Sequence, residues 1–186
     1  MISRILPDKI KYDGSQIAPL WAYSMGIKGD SMVIFHGPMD VTFDNMKDLE
    51  DKKAGKTIQG DDLIHIIVER FDSPASMRLA YYMQRLLIVC IRDVLMKQGI
   101  STWRNGDDLF VDDRKLTVSI ASAGVTSEKI HCGINITTKG TPAEIRTASI
   151  EEIGIADWKP LAREIAEIYI NEIEDIEGDI VKTRCL

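Results

Sequence analysis

The chain has 186 residues, of which 45% are hydrophobic and 28% charged, with a net charge of −6. This is the composition of a soluble globular protein, and the length predicts one domain over residues 1–186. The acidic balance disfavours nucleic-acid binding, which rests on basic surface. No window offers the ~20 consecutive apolar residues of a membrane span.

Taken in chain order, the opening MISRILPDKIKYDG is interrupted by Arg4 and Pro7 and does not read as a secretory signal. Asp13-Gly14-Ser15 reads as the cap of a short helix over residues 16–23, because a carboxylate or hydroxyl before a helix accepts its free N–H groups. A strand follows over 31–36. Residues 44–62, rich in Lys, Asp and Gly, read as a mobile loop. The run over 63–70 has no polar alternation except His65, so it predicts a central strand buried on both faces. Residues 76–97 place Ala80, Met83, Leu87, Ile91 and Val94 at helical steps, with Gly99 as the stop. A second long helix is predicted over 158–176, with Pro160 in its first turn and Gly178 ending it. Strands and helices come in blocks. The expected fold class is therefore α+β, a mainly antiparallel sheet with the helices packed on one side.

Residues 106–136, GDDLFVDDRKLTVSIASAGVTSEKIHCGINI, carry the most chemical information. Three short extended runs are legible, DDLFV, KLTVSIA and IHCGINI, each bounded by turn-forming residues. Asp112-Asp113 makes the first turn, and Lys115 leaves that turn to enter a largely apolar strand. A cation in such a place can meet a phosphate or an activated carboxylate. It can also be a solvated edge Lys that discourages strand pairing. His65 reads as a satisfied core histidine. The three histidines have no metal-ligand spacing among themselves or with cysteine. The three cysteines have no paired spacing, which points to a reduced, cytoplasmic compartment.

Asp107-Asp108-Leu109-Phe110-Val111, Arg114-Lys115-Leu116 and His131-Cys132-Gly133-Ile134-Asn135-Ile136 together resemble a strand pair and an Asn strand of the biotin/lipoate protein ligase and octanoyltransferase superfamily. Phe35-His36-Gly37-Pro38 resembles a further octanoyltransferase segment. Over nearly its full length the chain is similar to an uncharacterised archaeal family, number 366 among the domains of unknown function. The segments Tyr12 to Ile17, Gly29-Asp30-Ser31 and His36 to Val41 carry that likeness. The resemblance implies the fold shared by class II aminoacyl-tRNA synthetases and biotin/lipoate ligases. It implies Lys115 as the catalytic residue, contacting acyl carbonyl and phosphate, and His36, Gly37, His131, Gly133 and Asn135 as substrate contacts. ATP with Mg²⁺ stays open as a cofactor, and a homodimer stays open as the assembly.

Two departures stand beside the likeness. The Arg- and Gly-rich run that cradles adenylate phosphates in the ligases has no counterpart in residues 33–42, which hold one Gly and no Arg. The transferase cysteine has no counterpart in residues 139–154. Two functions are expected from this balance. One is carboxylate activation or acyl transfer. The other is a non-catalytic module that binds a nucleotide, an acyl group or a partner.

Overall fold

A computed structural model of the chain describes residues 1–184. Its elements are β1 (Ile2–Lys9), a 3-10 turn (Ser15–Ile17), α1 (Trp21–Ser24), β2 (Ser31–Asp40), α2 (Leu49–Lys53), β3 (Gln59–Arg70) and α3 (Met77–Lys97). Then come β4 (Trp103–Asn105), β5 (Asp108–Val111), β6 (Arg114–Lys115), β7 (Thr117–Ala123), β8 (Glu128–Asn135) and α4 (Trp158–Lys182). The main sheet has five strands in the order β1-β2-β3-β8-β7, and β4-β5-β6 form a small second sheet. Among the described residues the β1–β2 pair is parallel and the other strand pairs are antiparallel. The fold is α+β, as expected.

β3 lies at the centre of the main sheet, where its unbroken apolar run buries both faces. Ile64, Ile66 and Val68 turn to one face, with Met32 and Ile34 of β2 and Ile130, Cys132 and Ile134 of β8. That face packs against Leu87, Ile88, Ile91 and Leu95 of α3 and Leu161, Ile165 and Tyr169 of α4. Each fully buried Leu or Ile here contributes ~1.5–3 kcal/mol relative to leaving it in water. Both helices sit on this one face, because their wide apolar stripes need a flat apolar partner. The opposite face carries Phe35, Leu63 and Ile67 with Tyr12, Ile17 and Met39, and it bears the groove described below.

Four local expectations are corrected. The helix expected over 16–23 is broken. Pro19 disfavours helical geometry at Ala18, which is extended at ψ 151°, and Leu20 then takes a left-handed φ of 64°. The buried Glu69 carboxylate holds that turn by accepting from the Leu20 N–H at 3.0 Å. The expected loop over 44–62 contains α2, capped by Asp48, whose side chain accepts from Glu50 and Asp51 N–H. The strand expected at 63 begins at Gln59. α4 runs through Gly178 to Lys182, although Gly in a helix interior costs about 1 kcal/mol. Gly178 stops a helix only where a left-handed cap follows, and none does.

Candidate functional site

The turn predicted at Asp112-Asp113 is present, with Asp112 in the left-handed region at φ 53°. The expected strand 115–121 is divided. Arg114 and Lys115 pair with β5 in the small sheet, and Leu116 is buried. From Thr117 the chain pairs with β8 in the main sheet. Lys115 therefore stands where the two sheets meet. Its backbone is fixed on both sides: its N–H donates to Arg146 O at 2.8 Å and its carbonyl accepts from Ala148 N–H at 2.9 Å. Asn135 Nδ2 donates to the same Lys115 carbonyl at 3.3 Å and to Ala148 O at 3.0 Å. Asn135 thus joins β8, β6 and the loop around residue 147 into one unit.

The Lys115 ammonium lies 2.8 Å from Asp108 Oδ2, and both side chains are about three-quarters buried. Burial raises the Asp108 pKa, opposed by the nearby Lys115 charge. Lys115 is the hinge point of a groove with two lobes. The first, about 230 Å³, has an apolar floor of Tyr12, Ile17, Met39, Val118 and Ile120, with His131, Asp108 and Lys115 among its walls. The second, about 190 Å³, is lined by Thr117, Asn135, Pro142, Ile145 and Thr147, again with Lys115. Met39, Asp51, Ile58 and Val118 also belong to both lobes.

The other expected site residues divide by strand parity. On β8, residues 131, 133 and 135 share the groove face. His131 lines the first lobe and Asn135 the second, while Gly133 lies beneath Leu63 and Val118. A Cβ at Gly133 would come within 3.1 Å of each. His36 does not join them. It alternates with Phe35 to the helix-bearing face, where its Nδ1 lies 3.1 Å from Asp62 Oδ1 and its ring 5.0 Å from Trp158. Gly37 returns to the groove face, but what it supplies is a carbonyl to His65 and room for the backbone of Ile10.

His65 and His131 form a buried pair. His65 Nε2 is 3.0 Å from Gly37 O, and His65 Nδ1 is 3.0 Å from His131 Nε2. Tyr12 stacks on His131 with centroids 3.6 Å apart. Burial lowers the His65 pKa to about 4 and pushes His131 well below the ordinary imidazole value of 6.5. The unfolded chain therefore binds protons that the folded chain rejects. The stabilising contribution is complete above pH ~6.5 and is lost as pH falls toward 4. Stability by urea unfolding should fall by about 2 kcal/mol between pH 7.5 and 5 from His65 alone, with His131 acting in the same direction. Equal stability at the two pH values would contradict neutral burial of the pair.

Neither described cysteine is placed for thioester chemistry. Cys90 lies on the buried stripe of α3 and Cys132 on the helix-bearing face of β8; burial raises both thiols, Cys90 to about 12. Cys185 lies outside the described residues. His65 is the satisfied core histidine that was expected. What sequence reasoning missed is Tyr12, Asp108 and the residues of 39–58 that wall the groove. Their contributions depend on tertiary contacts, such as the stacking of Tyr12 on His131 and the Asp108–Lys115 pair.

The family model described as "Domain of unknown function (DUF366)" matches residues 1–184. An uncharacterised protein of Methanocaldococcus jannaschii is 42% identical over 181 residues, covering 95% of this chain and 81% of the relative. A solved protein of unknown function from Pyrococcus horikoshi superposes with a TM-score of 0.93 at 39% identity, over 100% of both chains. A biotin protein ligase variant from Aquifex aeolicus in complex with biotin gives 0.59 at 12% identity, over 95% of this chain and 71% of that one. A T. acidophilum protein with bound lipoic acid gives 0.58 at 13%, over 94% and 87%. At such identities these last two show a shared fold alone.

Proposed function

We propose that this chain, which belongs to the DUF366 family, binds a small carboxylic acid or its activated acyl form in the two-lobed groove, with Lys115 holding the carboxyl or phosphate oxygen. One observation carries this: a single ammonium stands at the junction of both lobes, on a backbone locked by Arg146, Ala148 and Asn135. An apolar floor on one side and a fixed cation at its end suit a molecule with an apolar body and an anionic head. During acyl movement the same cation stabilises charge gathering on the acyl oxygen, with little reorganisation because Asp108 and the backbone already hold it. The ligase-like fold supports the reading.

The groove is less suited to ATP. In the first lobe Lys47 and Lys115 face Asp48, Asp51, Asp107 and Asp108. In the second, Lys56 is paired with Asp51 at 2.6 Å. Four carboxylates repel a triphosphate. A carboxylate or an acyl group with one phosphate fits this charge better. The same observation, with residues 33–42 lacking Arg, favours the second reading, a module that binds such a molecule without turnover.

A thermal-shift panel of biotin, lipoate, octanoate, amino acids and ATP tests the proposal. A carboxylic acid is expected to raise Tm through binding to the folded state, by more than ATP does. A panel with no shift for any acid would contradict it.

A further inference from the structure

We infer that the acid bound in the groove carries a hydrogen-bond donor, an N–H or O–H, at the end of its apolar body away from Lys115, and that His131 Nδ1 is the acceptor selecting it. The inference rests on the proposed carboxylate site and adds the chemical class of the molecule's other end.

Proton placement follows from the hydrogen-bond chain. Gly37 O can only accept, so His65 Nε2 carries a hydrogen. A neutral His65 then has a bare Nδ1, and the contact at 3.0 Å requires His131 Nε2 to carry the hydrogen that fills it. A neutral His131 is left with a bare Nδ1 lone pair. Among the described residues no hydrogen bond reaches that atom, although His131 is 2% exposed. Burial in contact with Tyr12 holds the ring neutral and fixed, so this acceptor can neither rotate away nor be protonated at ordinary pH.

His131 lines the same lobe as Lys115; Tyr12, Met39, Val118 and Ile120 give that lobe an apolar floor, with Asn45, Asp107, Asp108 and Ser119 also lining it. Lys47 and Asp48 at the rim are exposed and served by water. Once a ligand displaces the solvent beside it, His131 Nδ1 must find a donor on that ligand or lose its hydrogen bond, which costs binding. A plain fatty acid strands this nitrogen. An acid ending in a hydroxyl, amide or ureido N–H satisfies it. A charged ammonium at that end is disfavoured by the same burial.

The test uses the full chain and matched pairs: hexanoate, octanoate and decanoate, each against its ω-hydroxy counterpart, by calorimetric titration. The expected result is that at least one ω-hydroxy acid binds about fivefold or more tightly than its plain partner. The His131 Nδ1 ¹⁵N resonance should shift with that acid and stay in place with the plain one. In His131→Phe, which keeps a flat ring against Tyr12, the preference within each pair should vanish. Equal affinity within every pair, with both members dependent on Lys115, overturns the inference and leaves the carboxylate site standing. Binding by none of the six acids overturns both.

Discussion

Replacing Lys115 with alanine is expected to leave the fold standing and to remove most of the affinity for an acid. The first half follows from the backbone. Lys115 is held through its own N–H and carbonyl by Arg146, Ala148 and Asn135, and none of these bonds involves the side chain. The second half follows from charge. A hydrogen bond to a charged partner is worth ~1.5–3 kcal/mol, so its loss should weaken binding roughly 10- to 150-fold. Lys115→Arg should recover only part, because a planar fork does not replace a compact ammonium in a fitted lobe. Asp108→Asn should act in the opposite direction, because Asp108 competes with the ligand for the same ammonium at 2.8 Å. Calorimetric titration of the three variants beside the wild type measures these effects. Unchanged affinity in Lys115→Ala would reduce this Lys to a device against edge pairing.

Gly37→Ala is expected to be among the most destabilising single changes in the molecule. The residue has φ 156°, and a Cβ there would overlap the Ile10 carbonyl oxygen and lie 2.8 Å from its carbon. The neighbours are backbone, so nothing flexible can yield. Ile10 N–H donates to His36 O at 2.9 Å, and that bond would stretch as the chain after β1 is forced from β2. The cost should be about 3 kcal/mol or more, as for overpacking in a rigid core. Movement of Gly37 O would also disturb the His65–His131 chain that depends on it. Gly26→Ala is the control. Its φ of 78° is left-handed, but a Cβ would meet nothing within 4 Å, so only about 1 kcal/mol of backbone strain is expected. Urea unfolding of both variants separates the two terms. Equal losses would show that the contact with Ile10 carries no special weight.

Elements whose signal is local were legible in the sequence. The α3 stripe, the apolar run of β3 and the Asp112-Asp113 turn each report their structure through periodicity or turn chemistry. Lys115, His131 and Asn135 entered the sequence reading as a group through the family resemblance, and all three line the groove, His131 and Asn135 because odd-numbered residues of β8 share one face. His36 was misplaced because alternation along β2 sends it to the helices, and a His-Gly-Pro segment carries no mark of which face it takes. Helix ends were legible only in part: the apolar stripe begins at Ser76, which caps α3 by accepting from Leu79 N–H, but the Asp48 cap of α2 was not recognised. They failed at Gly178, where the residue type alone is ambiguous. The groove's second wall, residues 39–58, and the Asp108–Lys115 pair depend on tertiary contacts with no local trace.

The structure of the wild-type chain in complex with whichever acid raises Tm most bears directly on the central claim. The account predicts a carboxyl or acyl-phosphate oxygen within about 3 Å of Lys115 Nζ, the apolar body over Val118 and Ile120, and the far end beside His131. An acid bound elsewhere, or one in the groove with its carboxylate turned away from Lys115, would contradict it.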